Sequence, residues 1–497
     1  MKRILLITIT SLCSVLTVFG QEILNLEDFR HAAINANKEI QISKERVKIA
    51  GDLKKAAFTQ FLPRISANAS YQWNQKNISL LSEDAFLPVG SIASDGSLTF
   101  TPDQLNNTWT TVNGTSVPLD SDGNPFDPST NPEKLQVKNY AYLPKESMEY
   151  DINNVMIGTI SLVQPIFMGM KVQELYNISK ANENIAKSTD ENNLQQLIIK
   201  VDEAYWRVVS IYNKKELANK YCELLNKLMY NVNEMYKAGV ATKVDVLNVR
   251  VEYNDATMQK INAENGYDLC KMALFQLCGM DLNSNIEPAD KDINHILIKE
   301  DTVIDINQAV NSRSEIKILN QTKKIADYNV GIAKSRFMPN IFANVNYIVS
   351  NPNTYNGFDN SFNGMFNAGV TVNIPILHWG DEIHTLNAAK RARNIMDLRV
   401  EQTRDLIKLQ INQSKFKLAE ASKKYNQSIE NQETAQENLK FAQEAFDEGL
   451  VSVSDLMKAQ TAWIKANSER IDSSINYKMC NLYLKKAQGK EIFHSEN

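Results

Sequence analysis

A fifteen-residue turn is written twice in this chain, as YKAGVATKVDVLNVR from Tyr236 to Arg250 and as FDEGLVSVSDLMKAQ from Phe446 to Gln460. The spacing of 210 residues holds far beyond the turn. It aligns Pro165 with Pro375, Asn184 with Asn394, Gly239 with Gly449, Asp245 with Asp455, Tyr267 with Tyr477, Cys270 with Cys480 and Gly279 with Gly489, without a gap. A second offset, of 276, pairs Ala50 with Ala326, Phe61 with Phe337, Pro63 with Pro339, Ile65 with Ile341 and Tyr71 with Tyr347. A chain of 497 residues duplicated in this way is one architecture built twice, where length alone would suggest about three domains. The two offsets differ by 66 residues, so the first copy carries an insertion of that size between Tyr71 and Pro165.

Each turn reads as an αα-hairpin. A glycine able to take a left-handed backbone, Gly239 or Gly449, ends one helical pattern. Thr242 with Asp245, and Ser452 with Asp455, then fit the [ST]-x-x-[DE] capping box, in which hydroxyl and carboxylate satisfy amides that a helix start leaves unpaired. The helices on either side are long. Lys171 to Ala238 contains neither Pro nor Gly, which permits about 100 Å of continuous helix at ~1.5 Å per residue. Leu194, Val201 and Val208 form one row near a seven-residue repeat, and Ile198, Tyr205, Tyr212 and Leu225 a second that Val232 continues. This period predicts coiled-coil packing along the helix.

Between helical patterns lie short two-faced strands. Leu26 to Phe61 reads as helix until Pro63 stops it. Ile65, Ala67, Ala69, Tyr71 and Trp73 then alternate with Ser66, Asn68, Ser70 and Gln72, and the second copy places Ile341, Ala343, Val345, Tyr347 and Val349 likewise. Returning strands follow around Ile160 and Leu162 and around Val370, Val372 and Ile374. The link between strands is short in the second copy. In the first, residues 74–149 are rich in Ser, Asn, Asp, Gly and Pro and hold no sustained period, which predicts a long surface loop.

Met1 to Gly20, with Lys2, Arg3 and an apolar run from Ile4 to Phe19, reads as a secretory signal peptide, and no later run approaches the roughly 20 apolar residues of a membrane helix. The expected organisation is a signal peptide at 1–20, a first repeat at 21–290 holding the 74–149 insertion, and a second repeat at 291–497. Losing Lys2 and Arg3 takes the formal net charge from −4 to −6 with no basic block, which gives nucleic-acid binding no support. Cys222, Cys270, Cys278 and Cys480 remain, read as buried thiols with a Cys270–Cys480 bridge as the lesser alternative. No phosphate-cradling GxxxxGK[ST] and no catalytic constellation is present. His31, His295, His378, His384 and His494 are scattered without metal-ligand spacing, so neither enzyme chemistry nor a cofactor is expected. Gln410, Asn412, Gln413, Asn431 and Gln432 read as solvated helix faces.

Four amphipathic strands cannot close a barrel, and in lipid an open sheet edge leaves backbone amides unpaired at several kcal/mol each. If the strands are membranous, chains must share a barrel. Two copies give eight strands, which side chains fill, and three give twelve, which leave an opening. Tyr71, Trp73, Tyr347 and Trp379 fall near strand ends, where membrane-interface aromatics sit.

The strand openings LPRISANASY and MPNIFANVNY, the junctions QPIFMG and IPILHWG, and the turns YKAGVATKVDVL and FDEGLVSVSDLM, in this order, resemble the TolC-type outer-membrane efflux proteins over nearly the whole mature chain except the insertion. The resemblance implies a mainly α protein with a small transmembrane β part, a helix–β-hairpin–long αα-hairpin repeat, and a homotrimer whose twelve-stranded barrel in the outer-membrane lipid continues as a periplasmic helical tunnel. It implies docking of the turn tips onto a periplasmic adaptor fed by an inner-membrane pump, with iris-like opening there. Gly239, Val240, Ala241, Gly449, Leu450 and Val451 correspond to the adaptor-contacting tips. Asp245 and Asp455 correspond to an acidic constriction, with Asn248 and Lys458 where the family has a second aspartate, so a double acidic ring is not expected. The function implied is a passive exit duct for small molecules or drugs. A type I protein-secretion duct is the alternative within transport, and a periplasmic coiled-coil scaffold or adaptor is the alternative of another class.

Overall fold

The computed structural model describes residues 22–94, 96–291, 293, 305–355 and 357–490, so the expected signal peptide, His295 and His494 lie outside the described residues. The chain divides into a helical unit, Met1–Thr59, Gly169–Met338 and Pro375–Asn497, and a β unit, Gln60–Met168 and Pro339–Ile374.

The helical unit holds α1 (Leu26–Ala36), α2 (Lys38–Phe58), α3 (Lys171–Lys237), α4 (Lys243–Cys278), α5 (Ile306–Ser312), α6 (Ser314–Ser335), α7 (Asp381–Asp447) and α8 (Val453–Ala487). Both α3 and α7 run for 67 residues, and their starts are 210 residues apart, as the copied sequence requires. The helix expected over Leu26–Phe61 is interrupted at Asn37. This residue is extended, closes α1 by donating its N–H to the Ala33 carbonyl, and starts α2 by accepting the Glu39 amide on its side chain.

The seven-residue rows of α3 turn inward as their period requires: Val201, Tyr205, Val208, Leu225 and Val232 form one core with Phe29 of α1, Val249 and Phe275 of α4 and Leu456 of α8, Leu194 and Tyr212 pack against it half-buried, and Ile198 is buried beside it. Smaller clusters gather Ile316, Ile407 and Ile411, and Tyr425 with Tyr477. The four cysteines among the described residues are free thiols. Cys270 packs on the large core and Cys480 belongs to a different cluster, so the two are not bridged.

One ion pair inside this core joins segments far apart in sequence. Arg30 of α1 is almost fully buried and grips Asp202 of α3 with two parallel bonds, Nε to Oδ1 at 2.7 Å and Nη2 to Oδ2 at 2.5 Å. Burial pushes the Asp202 carboxyl above its ordinary value even though Arg30 opposes the shift. Loss of one partner would strand a buried charge, whereas two apolar replacements leave none. Arg30→Met should therefore destabilise the protein by about 3–5 kcal/mol, and adding Asp202→Leu should recover most of it, both read from thermal unfolding in detergent.

In the β unit, β1 (Arg64–Trp73), β2 (Asn154–Met168), β3 (Asn340–Asn351) and β4 (Asn363–Asn373) form one antiparallel sheet in the order β4-β3-β2-β1. The two hairpins meet through β2 and β3, and among the described residues the outer edges of β1 and β4 have no strand partner. Strand β2 runs through Pro165, and a bulge at Ile166 restores pairing so that Phe167 faces Ile341.

The 74–149 insertion, expected as a long surface loop, carries short strands of its own. Short antiparallel pairs join Ile78–Ser79 to Glu149–Tyr150, Ala85–Pro88 to Tyr140–Leu143, Ser91–Ile92 to Leu98–Thr99, and Trp109–Val112 to Thr115–Pro118. Leu105 and Phe126 are buried. The buried Asn107 side chain donates to the Leu119 and Lys134 carbonyls and accepts from the Gln136 amide. Strands of two to four residues are too short to leave a period in sequence, which is why this body is not legible there.

Candidate functional site: the sheet and the two helix tips

Register decides what the sheet can face. Directly paired residues share a face, so Ile65, Leu162, Val345 and Ala368 form one apolar row and Ala67, Ile160, Tyr347 and Phe366 the next. Ala69, Gly158, Val349 and Gly364 continue that face in one direction, and Ala343 with Val370 and Ile341 with Val372 in the other. The bulge at Ile166 carries Phe167 onto the same face. The opposite face has a rung of Ser66, Ser161, Asn346 and Asn367, where Asn346 Nδ2 donates to Asn367 Oδ1 at 2.8 Å, although Phe342, Ile348 and Met365 interrupt its polarity.

The ten residues of β1 and eleven of β4 match the roughly 9–11 that cross hydrocarbon at a tilt. Of the four candidate interface aromatics, Tyr71 and Trp73 end β1, with the Tyr71 hydroxyl donating to Asn154 Oδ1 at 2.8 Å. Tyr347 lies on the rung of Ala67 and Ile160 and touches Phe366 at 4.6 Å, which places it within the sheet and corrects its expected strand-end position. Trp379 lies six residues past β4 in the left-handed turn before α7, 89% exposed.

The tips are built alike. The Val240 amide bonds the Met235 carbonyl and the Gly239 amide that of Tyr236, and Leu450 and Gly449 bond Ala445 and Phe446 in the same way. The two glycines have φ of +77° and +73°, and a methyl group on either would meet nothing within 4 Å. Glycine is therefore required for its backbone and not for space. The apolar residues that follow divide: Ala241 and Val451 pack on the helical core, while Val240 and Leu450 stand 72% and 78% exposed.

Thr242 and Asp245 complete a capping box, with the Thr242 amide donating to Asp245 Oδ2 at 2.9 Å and the Asp245 amide to Thr242 Oγ1 at 3.2 Å. In the second tip Ser452 Oγ accepts the Asp455 amide, and Lys458 Nζ lies 3.2 Å from Asp455 Oδ1. Hydrogen bonds from Thr242 hold the Asp245 carboxyl below its ordinary value, and bonds from Ser452 and Lys458 do so for Asp455. Asn248, the counterpart of Lys458, is exposed. The turns also differ in charge: Lys237 and Lys243 give the first a positive rim, and Asp447 and Glu448 give the second a negative one.

A hidden signal completes the surface. Leu247, Val251, Met258 and Ile261 lie at three-, four- and seven-residue steps along α4, and Leu398, Leu406, Leu409 and Phe416 run along α7, all exposed. Heptad spacing with no burial in the single chain marks seams awaiting a partner.

Among the described residues no helix is long and apolar enough to cross a membrane, whereas the sheet has the length and the one-sided apolar face that a membrane demands. Those features fit the strands of an outer-membrane β-barrel protein. The chain matches the family described as outer membrane efflux protein over residues 144–280 and 306–490, and it belongs to that family. It is 21% identical over 345 residues to the alkaline protease secretion protein AprF of Pseudomonas aeruginosa, covering 67% of this chain and 69% of AprF. Its fold is that of the Campylobacter jejuni CmeC outer membrane channel, at 16% identity and TM-score 0.67 over 94% of this chain and 85% of CmeC. The open state of the Neisseria gonorrhoeae MtrE outer membrane channel gives 13% identity and TM-score 0.69 over 94% and 89%. The protein is an outer-membrane efflux channel and not an enzyme, which removes the scaffold alternative.

A charge on the apolar face should be costly and one on the other face tolerated. Ile160→Lys is expected to lower stability by about 2–4 kcal/mol and Asn346→Lys by under about 1 kcal/mol, measured by folding titrations into lipid vesicles.

Proposed function

We propose that the chain, mature from Gln21 and organised as repeats 21–290 and 291–497, assembles as a homotrimer whose twelve strands form the exit duct of a tripartite system. The open edges of β1 and β4 are the observation that carries this reading, because neither can remain unpaired in hydrocarbon. In the trimer each β1 pairs with the β4 of the next copy, and the bare seams of α4 and α7 cover one another in a periplasmic tunnel. The duct holds no energy source, so a periplasmic adaptor and an inner-membrane pump supply cargo and drive.

Val240 and Leu450 are the adaptor contacts, exposed at tips whose glycines fix their direction, and the opposite charges of the two turns offer the adaptor two different surfaces. Asp245 and Asp455 serve first as helix caps. With Asn248 and Lys458 beside them they form a constriction with a single rather than a double ring of helix-cap carboxylates. The cargo is a small molecule. The similarity to a protein named for alkaline protease secretion favours protein cargo as the second reading.

Val240→Asp combined with Leu450→Asp should abolish dye efflux from cells carrying the neighbouring pump and adaptor genes, with the amount of channel in the outer membrane unchanged. Unaltered efflux would remove the tip assignment. A deletion strain that loses a secreted protein from its medium while exporting dye normally would establish the second reading.

A further inference from the structure

The folded insertion has an apolar side that the single chain leaves bare. Bonds from the Asn74 amide to the Asn153 carbonyl, from Leu80 to Met148 and from Val89 to Asn139 carry the β1–β2 hairpin on as a two-stranded ribbon, well past the point where β3 and β4 stop pairing at Ser350 and Asn363. Along its ascending arm Leu80, Phe86 and Leu87 are exposed, Phe86 by 65%. Phe86 is held in place: its ring lies 5.4 Å from that of Tyr142, whose hydroxyl is anchored on Asp84 at 2.8 Å. The ten residues of β1 already suffice to cross hydrocarbon at a tilt, so the arm that follows stands beyond the lipid, where exposed apolar side chains mark a protein contact.

Topology indicates what covers it. On the β2 side the ribbon meets the β3–β4 loop of its own chain, Tyr150 against Phe358 at 5.0 Å. On the β1 side the strand that follows in a closed ring is β4 of the next copy, whose β3–β4 loop carries the exposed Tyr355 and Phe362. Resting on the shared-barrel reading, we propose that Leu80 and Phe86 of each chain pack on the β3–β4 loop of a second copy, Leu87 pointing to the other face of its strand. The insertions thereby form an apolar cuff that locks neighbouring chains at the outer rim.

The test places Phe86→Cys and Phe362→Cys in one full-length chain, oxidises the detergent-extracted protein with copper phenanthroline, and compares it with both single variants. The four native thiols lie in the helical unit, three of them buried, and supply the background. Reducible dimer and trimer bands given by the pair and absent from the single variants are expected. Their absence, or a monomer band shifted by an internal link, in a sample whose light scattering gives three chain masses would overturn the cuff and leave the shared barrel standing. A sample at one chain mass would overturn both. Independently, Leu80→Ser and Phe86→Ser together should lower the temperature at which the trimer separates in SDS by more than about 5 °C, scaled from the ordinary response of melting points to lost contacts. An unchanged temperature would contradict the cuff.

Discussion

A peptide group in hydrocarbon has no water to bond, and that constraint governs this protein. Its four strands satisfy one another at three seams and leave two open, along β1 and along β4. Alternate rungs place apolar residues on one face, so that face is suited to lipid while the margins of the sheet are not. A soluble sheet would cover that face with a helix or blunt its edges with charge. Closure by further copies of the chain, as proposed above, would reconcile the face with the edges.

The helical unit repeats the pattern in another form. Its inner rows are buried in the single chain, down to the Arg30–Asp202 pair that fastens α1 to α3. Its outer rows on α4 and α7 keep heptad spacing with nothing against them. Apolar residues spaced for a partner and lacking one are what a subunit of a larger tube requires. The tips end this design with small, rigid turns in which capping holds the acidic side chains, so that one residue at each, Val240 or Leu450, projects freely.

What could be read from residues alone was whatever repeats or caps. The copied Gly239 and Gly449, the Thr242–Asp245 box, the long helices and the alternation from Ile65 to Trp73 all depend on neighbours within a few positions, and the structure keeps them. The break at Asn37 lay inside a helical period that concealed it. Contacts set by partners far away left no trace. The Arg30–Asp202 pair spans 172 residues, and the fold of the insertion rests on pairs such as Phe86 with Tyr142. The central position of Tyr347 follows from its register against Ile160, which spacing within one strand cannot supply. At the tips, chain order shows six residues of equal standing, and only burial separates Val240 and Leu450 from Ala241 and Val451.

The central claim, that the open edges are closed by other copies, is tested most directly by amide hydrogen exchange on the full-length protein extracted from outer membranes. The β1 and β4 amides should be protected as strongly as those of β2 and β3, because each edge then lies inside a continuous ladder. If β2 and β3 are protected while the outward amides of β1 and β4 exchange freely, the sheet ends where one chain ends, and the shared barrel is wrong.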